Sequence, residues 1–191
     1  AYELYLCTSE PAAPTTTAVM DLSSCYKNWE LSSGATLSVQ QNATVDVPGT
    51  MTRPPNGTYT HGVMLIDNSF GITASLQFDE AVTDQDGNSG VYCGTKSGSG
   101  IYGTGAVPSG TSECGASEIT AGKFTELLTS FDSGSFEGTA EGENLNGTSA
   151  SIKGYLIDTN SYLAENDADV DRLIGAATFA SPVNFTESTT T

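Results

Sequence analysis

Two groups of oxygen-bearing side chains have the spacing of a cation-binding loop, and the first lies near the middle of the chain. Asp84, Asp86 and Asn88 occupy alternate positions, and Gly87 stands where such a loop makes its sharp turn. This pattern matches the first half of an EF-hand calcium loop. A complete loop carries a glutamate at its twelfth position, which is Thr95 in this chain, so the sequence excludes an EF-hand.

The second group is a run of aspartates nearer the C-terminal end, with the same alternate spacing: Asp167, Asp169 and Asp171. Carboxylates packed this closely repel one another, and a bound divalent cation relieves the repulsion. Calcium is therefore the one cofactor that the sequence suggests, at either group. The alternative is that both groups are solvated acidic turns in an acidic protein.

The remaining residues that could act in catalysis do not form a recognisable arrangement. His61 is the only histidine, and no serine lies in the G-x-S-x-G turn that would mark a nucleophile. The 23 Asp and Glu residues are so common that finding two of them gives no support for a glycosidase. The sequence therefore predicts that the protein is not an enzyme and that His61 has a structural or surface role.

The four cysteines fall into two local pairs, and we predict the disulfides Cys7–Cys25 and Cys93–Cys114. Other pairings stay open, since four cysteines allow three connectivities. A zinc site is the alternative, but the sequence lacks a C-x-x-C pair and has only one histidine to complete such a site. Because disulfides form in oxidising compartments, this pattern predicts an extracellular protein, secreted or displayed on a cell surface.

The charge of the chain disfavours several classes of partner. Its 191 residues contain 23 acids and 6 bases, a formal net charge of −17. Phosphate recognition needs clustered Lys and Arg, so we expect no binding to nucleic acid, and an anionic membrane surface is disfavoured for the same reason. No apolar run reaches the ~18 residues of a transmembrane helix, so we expect no membrane insertion. A strand pattern begins at Tyr2, as in a mature protein whose signal peptide has been removed.

Alternating apolar residues predict an all-β fold. The stretch from Asn56 to Phe78 follows two prolines that signal a turn, and its second part alternates strictly between apolar and small or polar residues. We predict that its two runs form a hairpin whose apolar face a second sheet covers. The predicted fold is an Ig-like or jelly-roll β-sandwich, a single domain over residues 1–191. One short helix is predicted, with a strand as the alternative, where apolar residues recur at helical spacing: Phe124, Leu127, Leu128 and Phe131.

Surface glycans are candidate partners for two reasons. Four acceptor sequons for N-glycosylation occur in predicted turns or near the last strand: Asn42, Asn56, Asn146 and Asn184. Seven aromatic residues could line a sugar-binding face, although aromatic residues on strands are more often part of a core: Tyr26, Trp29, Tyr59, Tyr92, Tyr102, Tyr155 and Tyr162.

The start of the chain carries a resemblance to known proteins. Tyr2-x-Leu4-x-Leu6-Cys7, a second cysteine at Cys25 and the later Pro55–Tyr59 segment resemble uncharacterised secreted acidic β-sandwich proteins of marine bacteria. The Pro55–Tyr59 segment is also similar to the start of a strand in many Ig-like and prealbumin-like surface modules. The resemblance covers mainly residues 1–80 and 173–185, and it implies export and a sandwich fold but no particular activity.

These features together favour a structural role. An incomplete sheet exposes unpaired backbone groups, and an extended segment of the next subunit can fill them and so propagate a fibre. We therefore predict a subunit of an extracellular filament or pilus that has itself as its partner through strand donation. The donor candidate is an alternating run near the C terminus that contains Ala177, Phe179, Val183 and Phe185.

Several alternatives to this prediction stay open. The N-terminal run Tyr2–Leu6 is a second donor candidate, and either run could instead pair inside its own domain. A cell-surface adhesin or carbohydrate-binding module would fit the same composition. So would a viral capsid or spike protein, since jelly rolls build these as well.

Overall fold

A computed structural model describes residues 1–40, 44–102, 110–131, 134–143 and 149–188. Within these ranges nearly all regular structure is β, which confirms the predicted fold class. The strands are β1 Glu3–Cys7, β2 Cys25–Glu30, β3 Thr50–Met51, β4 Gly57–Asp67, β5 Ser69–Ile72, β6 Ser75–Thr83, β7 Ser89–Thr95, β8 Gly98–Tyr102, β9 Ser112–Gly115, β10 Phe124–Leu128, β11 Glu137–Glu143, β12 Ser149–Ile157 and β13 Arg172–Phe185. A short 3₁₀ helix spans Asp167–Asp169.

The chain divides into two compact units. Unit 1 comprises Ala1–Asp67 and Phe136–Thr191, and unit 2 is the intervening segment Asn68–Ser135. The chain therefore leaves unit 1 after β4 and returns to it just before β11. No composition shift in the sequence marks either crossing.

Unit 1 contains a seven-stranded sheet with the order β11-β12-β13-β4-β1-β2-β3, in which all the neighbouring strands are antiparallel. Alternate residues of the four central strands face the same side and form its hydrophobic core: Cys7, Val63, Tyr155, Ile157, Ile174 and Ala176. Met20 joins this cluster from the loop between β1 and β2. Strand β4 is thus the middle strand of the sheet, and its two neighbours are β1 and β13.

Unit 2 contains two three-stranded sheets, with the orders β5-β10-β8 and β6-β7-β9. The pairing of β8 with β10 is parallel, and the other pairs are antiparallel. In the second sheet, the backbones of β7 and β9 approach closely at Gly90, where a Cβ atom would collide with the backbone of Gly115. Only glycine fits this position.

Both predicted disulfides are present, which confirms the pairing. Cys7 faces Cys25 in the register of β1 and β2, and Cys93 faces Cys114 in the register of β7 and β9. Each bridge therefore ties together two strands that are already neighbours. Among the described residues, no helix is long and apolar enough to cross a membrane.

The predicted hairpin within Asn56–Phe78 is wrong. Both edges of β4 are taken by β1 and β13, and the second run of the stretch is divided between β5 and β6, which pair with β10 and β7. Asn68 directs the chain away from β4, because its backbone carbonyl accepts from the Leu128 amide at 2.8 Å and its side chain donates to the Leu128 carbonyl at 3.0 Å. The apolar alternation identified strands correctly, but it carried no information about their partners.

The predicted helix from Phe124 to Phe131 is also wrong. Phe124–Leu128 is strand β10, which lies between β5 and β8. Phe124 is buried, but Leu127 is exposed, so the helical spacing of these residues does not correspond to one buried face. Pairing on both edges outweighs a weak local preference. The short helix lies instead in the acidic run, where the side chain of Asn166 accepts from the Ala168 amide and caps it.

We predict that Leu156→Ala lowers the free energy of unfolding of unit 1 by about 2–5 kcal/mol, because Leu156 is fully buried and its truncation leaves a cavity. Ile152→Ala on the same strand is the matched control, with an expected loss below about 1 kcal/mol, since Ile152 is 49% exposed. Fluorescence of Trp29, the single tryptophan, reports unfolding of unit 1 in denaturant. Equal losses for the two variants would contradict this description of the core.

Candidate functional site

The C-terminal half of β13 is paired differently from its N-terminal half. Arg172–Ala177 pairs with β12 on one edge and with β4 on the other. Among the described residues, pairing with β12 ends at Ala177, whereas pairing with β4 continues to Phe185. The last part of the strand is therefore held along one edge only.

A register shift separates this last part from the body of the strand. Thr178 lies opposite His61, and Val183 lies opposite Tyr59, so the four residues 179–182 face Thr60 alone. Such an irregularity bends a strand and leaves its extra residues unpaired. Pro182 falls within it, at a place where the amide that proline lacks is not needed. We call residues 179–182 the hinge and residues 183–185 the arm.

The arm contacts a short segment just before and inside β4, residues 53–59, which we call the seat. Three consecutive register pairs join arm and seat: Val183 with Tyr59, Asn184 with Thr58, and Phe185 with Gly57. The hydroxyl of Thr58 donates to Oδ1 of Asn184 at 2.6 Å. The backbone register and this side-chain bond together fix the alignment of the arm.

An aromatic contact holds the end of the arm. The ring of Phe185 meets the ring of Tyr59 edge-on, with the ring centroids 5.8 Å apart and the planes at 85°. Tyr59 is only 4% exposed, and its hydroxyl donates to the Pro55 carbonyl at 3.0 Å. Edge-to-face pairs of this kind stabilise by about 0.5–1.5 kcal/mol beyond the burial of their area.

Arg53 closes the site over Phe185. Its Cζ atom lies 5.9 Å from the centroid of the Phe185 ring. Its Nη2 donates to the carbonyl of Thr186 at 2.6 Å and to Oδ1 of Asn56 at 2.8 Å, and its Nη1 donates to the carbonyl of Pro54 at 3.1 Å. The planar guanidinium thus bridges the loop before β4 and the residue that follows the arm.

The structure divides the predicted donor run into two parts. Ala177 belongs to the body of β13, and Phe179 belongs to the hinge, where its ring packs so closely on Gly62 that a Cβ there would lie 2.9 Å from it. Val183 and Phe185 belong to the arm. In the isolated chain the arm pairs with its own β4, which is the alternative that the sequence left open.

The N-terminal donor candidate lies in a different environment. Strand β1 is flanked by β4 and β2 along its whole length. The Cys7–Cys25 disulfide fixes the end of the strand to β2. This run is therefore covalently tied to its own sheet, whereas the arm is not.

The Asp84 group forms a hydrogen-bonded turn. Oδ1 of Asp84 accepts from the amides of Asp86 and Asn88, each at 2.9 Å, and Oδ2 accepts from Nδ2 of Asn88 and the Cys114 amide, each at 3.0 Å. Asp86 lies 3.6 Å from the ammonium of Lys96. The side-chain bond from Asn88, followed by the amide bonds, lowers the pKa of Asp84 below its ordinary value.

Two carboxylates of the second acidic group also have partners within the chain. Asp169 accepts from the side chain of Asn166, and Asp171 pairs with Arg172 at 3.2 Å. Among the described residues, no three His, Cys, Asp or Glu side chains converge as a metal site requires. Calcium binding at Asp84, Asp86 and Asn88, or at Asp167, Asp169 and Asp171, stays a prediction of the sequence.

The other candidate residues are dispersed. His61 is half-buried, and its Nδ1 lies 2.8 Å from the hydroxyl of Thr60. Trp29, Tyr59 and Tyr155 are buried, so they cannot stack on a sugar. Tyr26, Tyr92 and Tyr162 are partly buried on separate segments, and the side chain of Tyr102 lies outside the described residues.

Two of the predicted sequons lie at the arm and seat. Asn56 is in the seat and accepts from Arg53, and Asn184 is in the arm and accepts from Thr58. Asn42 and Asn146 lie outside the described residues. Glycosylation at any of the four stays a prediction.

An exposed apolar strand is the main competing surface. All nine residues of β6 are exposed, including Leu76, Phe78 and Val82. Strand β6 is at the edge of its sheet, but a register shift leaves residues 78–81 unpaired, and this segment carries Asp79 and Glu80. Bulges and charges are the devices that protect edge strands from pairing with other chains. Because of this protection, β6 is a weaker candidate than the arm.

Sequence reasoning identified part of this site. It found Val183 and Phe185 from their alternation, but it missed Arg53 and the register shift. Arg53 could have been noticed as an isolated base beside two prolines in a chain with only 6 bases. Comparison with protein-family models, curated proteins and solved structures found no match to this chain. The resemblance to secreted bacterial proteins therefore also stays a prediction.

We predict that Asp84→Ala destabilises unit 2 near neutral pH and that this effect shrinks in acid. Because folding lowers the pKa of Asp84, its contribution is complete above the ordinary Asp pKa of about 3.9 and is lost as the pH falls through the lower folded value. Thermal unfolding of the wild type and of the variant at pH 7 and at ~pH 3 measures the difference. Asp86→Ala, which removes only an exposed ion pair, is the control. A difference that grows in acid would contradict the assignment.

Proposed function

We propose that this protein is the structural subunit of an extracellular homopolymer, in which the arm of one copy adds to the next copy. The observation that supports this most directly is the construction of β13. Its body is held on both edges, whereas its arm lies beyond a four-residue hinge and is held on one edge by three register pairs. Of the two predicted donor runs, the arm is the one that can leave its sheet while the rest of the sheet stays intact.

The hinge makes release of the arm local. Residues 179–182 make no register pairs. Ala180, Ser181 and Pro182 are exposed, so these three residues can change conformation at little cost in buried area, whereas Phe179 is packed on Gly62. Short hinge loops under strain favour the exchange of elements between copies. The arm itself is short and apolar enough to be held by a neighbour through backbone pairing and one aromatic side chain.

In the proposed homopolymer, donation runs from one copy to the next without closing into a ring or a reciprocal pair. A head-to-tail contact of this kind leaves an unoccupied acceptor at one end and a free arm at the other, so it propagates as a fibre. The net charge of −17 opposes close approach of copies. We therefore expect assembly to be favoured by salt, because screening shortens the range of this repulsion. The two disulfides fit the proposed extracellular location, where they stabilise the subunit in an oxidising medium.

We predict that a variant ending at Pro182, which lacks residues 183–191, stays monomeric under conditions in which the full chain assembles. Light scattering and negative-stain electron microscopy measure assembly, and Trp29 fluorescence checks that unit 1 is folded. Leu76→Ser is the matched control, because it reduces the apolar surface of β6 without touching the arm; it should assemble like the wild type.

Three results would overturn the proposal. Fibres formed by the variant that ends at Pro182 would exclude the arm as the connecting element. Loss of assembly in Leu76→Ser, with assembly retained in the truncated variant, would show that β6 and not the arm makes the contact between copies. A full chain that stays monomeric over the whole range of salt concentration would exclude the homopolymer itself.

A further inference from the structure

We infer that the seat, residues 53–59, is a binding site for the segment 184–186 of a second copy, and that Arg53 sets the rate at which arms exchange but not the fraction exchanged. This inference rests on the proposed function, to which it adds the acceptor surface. It does not follow from that proposal, because an arm could also add to another exposed edge such as β6.

Three different side chains of the seat contact three consecutive residues of the segment 184–186. Thr58 donates to the amide oxygen of Asn184, Tyr59 packs on the ring of Phe185, and Arg53 donates to the carbonyl of Thr186. Because a polar, an aromatic and a backbone contact follow one another, the seat fits an extended segment and is not a general apolar surface. The side chains that the seat contacts are those of Asn184 and Phe185, and the pair Asn-Phe occurs once in the chain.

The seat can accept the same segment from another molecule without rearranging. All the seat residues that hold the arm lie within residues 53–59, which are continuous in sequence and independent of the hinge. Once its own arm has left, a seat presents the same donors, ring and strand edge to the arm of any other copy. The occupant is therefore identified by the contacts that the chain already makes with itself.

Contacts that are identical in two states cannot change the equilibrium between them. Arg53 makes the same hydrogen bonds whether the arm comes from its own chain or from another, so its contribution cancels between the closed and the exchanged forms. The contribution of Arg53 does not cancel between the closed form and the open form, in which the arm has left the seat. Removal of Arg53 therefore lowers the barrier to opening, while the exchanged fraction depends on the hinge, whose conformation differs between the two forms.

A crosslinking experiment with the full chain tests the acceptor surface. Thr58→Cys protein is mixed with Asn184→Cys protein in a buffer of reduced and oxidised glutathione. One thiol forms a mixed disulfide with glutathione, and where an arm of one copy occupies the seat of another the second thiol displaces reduced glutathione and forms the 58–184 disulfide reversibly. The two positions face each other in the register. Glu30→Cys, exposed on β2, replaces Thr58→Cys in the control mixture. We expect the 58–184 heterodimer well above the level of the control.

The same mixture tests the role of Arg53. With Arg53→Ala in both proteins, we expect the 58–184 crosslink to form about ten- to a hundredfold faster, the factor that corresponds to losing hydrogen bonds from a charged donor. The final yield should be unchanged. Arg53→Lys keeps the charge but not the planar fork, so its rate should be intermediate. Lys153→Ala removes an equal charge from an exposed ion pair with Glu10 and should leave the rate unaltered.

The possible failures are distinguishable. Fibres that require the arm but give no 58–184 crosslink above the control would overturn the seat assignment and leave the proposed function standing. A crosslink whose yield changes with Arg53→Ala while its rate does not would overturn the kinetic role of Arg53. Fibres that do not require the arm would overturn the proposed function instead.

Discussion

The structure depends above all on how the two edges of β4 are occupied. On one edge, residues 61–65 pair with β1, which is itself joined to β2 by the Cys7–Cys25 disulfide. On the other edge, β4 pairs with β13 over nearly its whole length, apart from one register shift. The core cluster lies on this central part, where Val63 packs with Cys7 and Ile174. One neighbour is thus fixed to the following strand by a disulfide, and the other ends in a segment held by three register pairs and by contacts from Arg53 and Tyr59.

This asymmetry divides β13 into a body that is paired on both edges and an arm that is paired on one edge. The body of β13 loses buried area if it separates from β4, since Ile174 and Ala176 are part of the core. The arm buries little: Val183 and Asn184 are exposed, and only Phe185 is partly covered. The hinge lies between the body, which contributes to the core, and the arm, which buries little. Within a strongly acidic protein, Arg53 provides a charged contact to Thr186, the residue after the arm, and it donates there to a carbonyl rather than to a carboxylate.

The sequence predicted the features that depend on local pattern. The two cysteine pairs, the alternation in β13 and the strand character of β4 were all visible in the order of the residues. It did not predict which strands pair. The Asn56–Phe78 hairpin failed because Asn68 bonds to Leu128, a contact between residues 60 positions apart that no local pattern encodes. The helix at Phe124 failed because β5 and β8 supply partners from elsewhere in the chain. The register shift at residues 179–182 depends on Thr60 of another strand, and only the proline hinted at it.

The acidic groups show what spacing leaves open. The spacing of Asp84, Asp86 and Asn88 predicts a cation site, and the Asp84 oxygens also take four hydrogen bonds from amide groups of the loop and of β9. Calcium binding there stays a prediction. Spacing alone cannot distinguish a loop whose oxygens face a common centre from a loop whose oxygens cap its own backbone.

A reconstruction of the assembled protein by electron cryomicroscopy tests the central claim most directly, provided that its resolution allows the chain to be traced through residues 178–186. The account predicts continuous density that runs from the hinge of one copy to the seat beside Tyr59 of the next. Density that returns from the hinge to the seat of the same copy throughout the assembly would contradict it.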